Sequence, residues 1–140
     1  MAGMLENNIT LVTGGSTGIG RATALILARE GATVVIADLQ DEEGANTVSQ
    51  IAAAGGKAEY HHVDVANYDA VSGLMQHIER THGGLDGAFN NAGIEGPTAK
   101  VLEYSVEQWE RVQRVNLTGV FICIQCEVEL MLKRERPASI

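Results

Sequence analysis

Residues 13–20 read Thr-Gly-Gly-Ser-Thr-Gly-Ile-Gly, between an apolar run, Ile9–Thr13, and a helical pattern beginning at Arg21. Few local features restrict a fold more. Glycine-rich turns are entropically expensive unless the backbone needs positive φ or close approach. At the start of a helix such a turn presents bare N–H groups, a ready cradle for phosphate. A second apolar run, Thr33–Asp38, ends 18 residues after Gly20 with Asp38. An acid there can accept hydrogen bonds from the two hydroxyls of an adenosine ribose. The pairing predicts dinucleotide binding. The plainer readings are a tight strand–helix turn and a solvated acid at a strand end.

The rest of the chain keeps a strand–helix rhythm with no linker, repeat or low-complexity tract. Strand Ile9–Thr13 leads to a helix over about Gly18–Arg29, with Ala22, Leu25, Ile26 and Ala28 expected on its inner side and Gly31 ending it. Thr33–Asp38 reads as a second strand, Asp41–Ala54 as a helix closed by Gly55-Gly56, and Lys57–Val65 as a third strand bearing Asp64 at its end. Asn67 suits the N-cap of a helix over Tyr68–Thr81, stopped by Gly83-Gly84. Leu85–Asn90 is a fourth strand, followed by a loop with Gly93, Gly96 and Pro97. Ser105-Val106-Glu107-Gln108 forms a capping box that opens a helix to about Lys133. Ala138-Ser139-Ile140 reads as the start of a fifth strand.

Apolar strands alternating with helices predict a parallel sheet covered on both faces. Right-handed crossovers give strand order 3-2-1-4. The expected fold is a Rossmann-type doubly wound α/β sheet, one dinucleotide-binding domain over residues 1–140, truncated before strand 5. Its switch point lies between strands 1 and 4, and ligands of open α/β sheets bind at that crevice. The glycine turn and the Asn90–Gly93 segment both end strands there.

Composition narrows the partners. The net charge is −8 and the pI near 4.9. Nucleic acid is not expected, since its binding rests on Lys and Arg neutralising phosphates, and an anionic membrane surface is disfavoured equally. The uncharged stretch Val115–Cys126 runs 12 residues, against about 20 needed to span a bilayer. The N-terminus has neither a basic nor an apolar signal region, so the cytoplasm is the expected location. Cys123 and Cys126 sit deep in the long helix, where cysteine packs as a small hydrophobe. His61, His62, His77 and His82 are scattered along the chain, and no metal site is expected.

With these positions placed, the chain resembles the short-chain dehydrogenase/reductase family along its whole length. Thr13, Gly14, Gly18 and Gly20 follow that family's glycine spacing, and three further motifs come in order. They are Asp64-Val65, Asn90-Asn91-Ala92-Gly93, and Asn116 within Arg-Val-Asn-Leu-Thr-Gly-Val-Phe. The resemblance implies that Gly14, Ser16, Gly18, Ile19 and Gly20 wrap the pyrophosphate and adjoining ribose. It implies that Asp38, with Leu39 beside it, meets the adenosine ribose, and that Asp64 and the Val65 backbone meet the adenine. Asn90 would contact ribose through its backbone, while Ala92 and Gly93 leave room for the cofactor. Asn116 corresponds to the family's catalytic asparagine, which interrupts a helix and helps hold a water. Plainer readings stand beside these: Asp64 as a turn residue, Asn90–Gly93 as a turn, and Asn116 as a polar residue bonded to nearby backbone.

The family's chemistry also needs a serine and a Tyr-x-x-x-Lys pair. The residues four after Tyr60, Tyr68 and Tyr104 are Asp64, Ser72 and Gln108, and the lysines are Lys57, Lys100 and Lys133. The expectation is therefore the cofactor-binding half of an oxidoreductase that transfers hydride between a secondary alcohol or ketone and a nicotinamide. The alternative is a catalytically inactive NAD-binding or oligomerisation module. NAD is expected over NADP, because Asp38 opposes a 2′-phosphate and Thr17 and Leu39 are neutral. A homo-oligomer is expected through the Ser105–Lys133 helix, which supplies part of the subunit interface in the resembled family.

Overall fold

The computed structural model describes residues 3–140. Four parallel strands, β1 (Ile9–Thr13), β2 (Thr33–Asp38), β3 (Lys57–His62) and β4 (Gly87–Asn90), form one sheet in the order β3-β2-β1-β4. The helices are α1 (Gly18–Arg29), α2 (Asp41–Ala53) and α3 (Tyr68–His82), then α4 (Val106–Gln113) and α5 (Val120–Met131), with a π-helical segment, Arg114–Gly119, joining the last two. The fold is thus the Rossmann-type α/β sheet expected, with that strand order.

Strand alternation divides the core. Leu11, Val35 and Ala37 face α3 and α5, where Leu74, Ile78, Ile122 and Leu130 close over them. Val12, Val34 and Ile36 face the other way, onto Ala24 and Ala28 of α1 and Ile51 of α2. Each fully buried Ile, Leu or Val contributes about 1.5–3 kcal/mol. β1 and β2 are buried on both faces, and the crossover loops at the strand ends meet solvent.

Several boundaries and faces differ from expectation. In α1 the buried stripe is Gly20, Ala24 and Ala28, while Ala22 and Ile26 are exposed. The α1–sheet approach is close, and only small residues fit under it. β3 ends at His62, not Val65, because the chain turns at Asp64. The Asp64 carboxylate accepts the Ala66 N–H at 2.9 Å, and its carbonyl accepts Asn67 N–H at 3.0 Å. β4 begins at Gly87 because the Asp86 side chain takes the Ile9 N–H at 2.8 Å. Asp86 is buried and also meets Arg134 at 3.1 Å and Arg136. Burial pulls its pKa upward. The Arg136 hydrogen bond, the Ile9 N–H and the two arginine charges outweigh that and hold the carboxyl below its usual range.

The helix expected over Ser105–Lys133 runs as three pieces and ends at Met131. Its capping box is present: Ser105 Oγ accepts Gln108 N–H, and Gln108 Oε1 accepts Ser105 N–H. Ser139 pairs in parallel with Gly87, donating to the Asp86 carbonyl at 3.1 Å and accepting Ala88 N–H at 3.0 Å. The outer side of β4 is therefore partly occupied. Cys123 and Cys126 are free thiols buried on the inner face of α5, and burial pushes the Cys123 thiol up to about 12. They pack rather than react.

Candidate functional site

The turn between β1 and α1 is built for contact. Gly14, at φ +66°, lies so close to the β4 end that an added Cβ would sit 2.9 Å from Ala92 Cα. A Cβ on Gly20 would stand 2.0 Å from the Gly14 carbonyl oxygen, so nothing larger fits. Gly18 is different: its φ is +54° and its Cβ direction opens into free space. Two of these glycines permit tight packing, and the third supplies a left-handed backbone at the mouth of a cavity.

That cavity, about 870 Å³, lies at the C-terminal ends of the strands. Gly14, Gly18, Ile19, Asp38 and Leu39 line one part of it, and Asp64, Val65, Ala92 and Gly93 another. Nine of the twelve residues expected around a dinucleotide thus meet in one place. Ile19 and Leu39 present exposed apolar surface there. The remaining three, Ser16, Gly20 and Asn90, lie behind the wall.

Asp38 is held by the backbone around it. Ser16 N–H donates to Oδ2 at 3.0 Å, and Leu39 and Gln40 N–H groups donate to Oδ1 at 2.7 and 3.3 Å. Ser16 is fully buried beneath the turn. Its carbonyl accepts from Arg21 Nε at 2.8 Å and from Thr47 Oγ1 at 3.1 Å, and Arg21 is paired with Glu43. The glycine turn, the β2 end and α2 are therefore tied to one another by side-chain contacts. Sequence reasoning missed Arg21 and Thr47, which are 26 residues apart and brought together only by the crossover.

The β4 end is fastened to the same turn. Thr13 Oγ1 accepts N–H groups from Asn91 and Ala92, each at 3.0 Å. Asn91 Nδ2 lies 3.2 Å from the Thr13 carbonyl and 3.1 Å from that of Gly14. The second Asn of the Asn-Asn pair is thus the structural clamp. The first, Asn90, instead donates Nδ2 to Glu127 Oε2 at 2.8 Å. Glu127 is fully buried in α5, and burial pushes its carboxyl up to about 7 despite that hydrogen bond. Helical spacing from Cys123 and toward Leu130 could have marked Glu127 as inward-facing.

Asn116 sits within the π-helical segment and does not reach the cavity wall. Its Oδ1 accepts Ile94 N–H at 2.8 Å and its Nδ2 donates to the Ile94 carbonyl at 2.9 Å. It positions the loop next to Gly93, which the sequence did not reveal. Arg111 and Arg114 also line the cavity. Tyr60 lies 2.7 Å from Asp41 Oδ1 and 3.0 Å from the Asp38 carbonyl. Burial, then the Asp41 hydrogen bond, push its phenol far above the ordinary range. It is the reverse of a poised acid–base.

A parallel sheet in this order, with a glycine turn and a fixed strand-end acid at its switch point, is the architecture of a Rossmann-type domain. The family model described as short chain dehydrogenase matches residues 8–140, and the chain belongs to the short-chain dehydrogenase/reductase family. It is 45% identical over 129 residues to a 3beta-hydroxysteroid dehydrogenase of Mediterraneibacter gnavus, covering 92% of this chain and 47% of that protein. It is 40% identical over 136 residues to a 2,5-dichloro-2,5-cyclohexadiene-1,4-diol dehydrogenase of Sphingobium indicum, covering 97% and 53%. The structure of an NAD+-bound xylitol dehydrogenase superposes with a TM-score of 0.92 at 31% identity, covering 97% of this chain and 52% of that one. The chain spans about half the length of the relatives it matches. No helix among the described residues is long and apolar enough to cross a membrane.

Proposed function

We propose that these residues bind the ADP portion of a nicotinamide dinucleotide, with NAD(H) preferred over NADP(H), for an oxidoreductase acting on secondary alcohols or ketones. The observation that carries this is the Asp38 carboxylate, fixed by three backbone N–H groups beside a positive-φ glycine at the mouth of the cavity. The residues fit the group. Gly18 leaves open space where a side chain would stand, and Gly14 and Gly20 let the turn pack without one. Gly18 and Ile19, at the start of α1, would face the pyrophosphate with unpaired N–H groups. Asp38 would accept from the ribose hydroxyls and repel a 2′-phosphate. Asp64 and Val65 would edge the adenine, and Ala92 and Gly93 would flank the cofactor without obstruction. When bound, the nicotinamide supplies hydride transfer.

NAD bound in the similar xylitol dehydrogenase supports the cofactor class. Titration of NADH and NADPH by fluorescence tests the preference. NADPH should bind more weakly by a few kcal/mol, the cost of lost charged hydrogen bonds plus repulsion. Asp38→Ala should narrow the gap. Equal affinity of the unaltered chain for both cofactors would refute the reading.

One further observation favours self-association. The exposed side of the helix carries Leu117, Phe121, Ile124 and Val128 as one apolar stripe. Cys123, on the other side of the helix, is buried toward α3. We read the exposed stripe as a contact between copies of this chain.

A further inference from the structure

Three of the four histidines that are scattered in sequence are gathered in space. Alternation along β3 puts Glu59 and His61 on the sheet face that meets α3, and His77 and His82 come from α3. Three imidazole Nε2 atoms converge on one oxygen, Glu59 Oε1. His61 lies at 3.3 Å, His77 at 3.1 Å and His82 at 3.0 Å. His77 and His82 make hydrogen bonds to it. A carboxylate oxygen has two lone pairs, so those bonds saturate it. His61 Nε2 is left buried with no hydrogen-bond partner. Such an orphan is rare and calls for an explanation.

We propose that Glu59, His61 and His77 bind a divalent transition-metal cation of the Zn2+ class, with His82 fixing the Glu59 carboxylate. The ligand atoms of the three residues lie within 4.8 Å of one another. Zn–N and Zn–O bonds of about 2.0–2.2 Å in a tetrahedron require ligand atoms about 3.3 Å apart. The observed 3.1 and 3.3 Å from Glu59 to its two imidazole partners already match that edge. Two imidazoles and one carboxylate suit zinc, nickel or copper; magnesium and calcium prefer all-oxygen sites. The four side chains are 16–32% exposed, shielded yet reachable from solvent. A neutral His61 would use its unpaired nitrogen as a ligand, and the hydrogen bond from His82 would orient the carboxylate from outside. The cation would fasten β3 to α3, directly before the turn that places Asp64 and Val65.

The test is calorimetric titration of the chelator-treated 140-residue chain with ZnCl2, alongside thermal denaturation. One equivalent should bind and raise the melting temperature. His61→Ala or His77→Ala should lose that equivalent, and His82→Ala should weaken it about 10–100-fold. His62→Ala, whose imidazole pairs with Asp41 instead, should bind as the unaltered chain does. Absence of binding, or binding unchanged in both His61→Ala and His77→Ala, would overturn the proposal. If those variants fail to fold, X-ray absorption of the zinc-loaded unaltered chain decides. At least two imidazoles in the coordination shell uphold the site, and fewer overturn it.

Discussion

Glu127 is the residue least at ease in its surroundings. It is fully buried in an apolar helix face, with one carboxylate oxygen bonded to Asn90 and the other without a partner. Burial raises its pKa from the ordinary 4.5 to about 7, so the folded state holds the proton more tightly than the unfolded chain. The stability this supplies is complete below about pH 4.5 and is lost as pH rises through about 7. Glu127→Gln removes the charge and keeps the shape. Urea denaturation should show little difference at pH 4.5. At pH 8 the variant should be the more stable, by on the order of 3 kcal/mol. A pH-independent difference would mean that the carboxyl titrates normally. The signal for such a residue is helix phase, here its spacing from Cys123 and Leu130. A single acid among apolar neighbours reads as surface until helix phase is fixed by packing.

At the scale of elements, the exposed stripe on α5 and the π segment makes its own prediction. Leu117 and Phe121 are 65% and 62% exposed, a continuous apolar surface with Ile124 and Val128. Contiguous patches of this kind mark association sites. Light scattering at micromolar concentration should find dimers or larger species, and Phe121→Glu should shift them toward monomer. A monodisperse monomer before substitution would refute the contact. What the sequence revealed about elements depended on punctuation. Gly31, Gly83 and the Ser105–Gln108 box mark ends that the structure keeps to within a residue or two. α1 was harder, because Ala22 through Ala28 is apolar nearly all round and cannot reveal which side packs. β3 was overrun because Val63 and Val65 look like strand, whereas the Asp64 side chain closes a turn. The π winding at Arg114–Gly119 has no composition of its own.

At the scale of the whole molecule, residues facing the proposed ADP portion are assembled, and among the described residues no tyrosine is paired with a lysine for proton transfer. Tyr60 is committed to Asp41 and Asp38, and no tyrosine has a lysine four residues on. A missing positioned acid–base costs about 10²–10⁴ in rate. The 140 residues alone should bind ADP-ribose nearly as well as NADH and show no turnover over a panel of secondary alcohols. Turnover that survives purification and disappears in Asn116→Ala would overturn this. The lining of the cavity was legible because its glycines and strand-end acids are local in sequence. The ties that hold it rigid were not, since Arg21, Thr47 and Asn91 act across the crossovers.

Asn116 has one more consequence. Its amide meets both the N–H and the carbonyl of Ile94, as a neighbouring peptide unit would in a ladder. A single side chain thus pairs with the backbone of the loop after β4, which is gripped at one residue. Substituting Asn116 would therefore take both bonds at once from the segment at the cavity's edge.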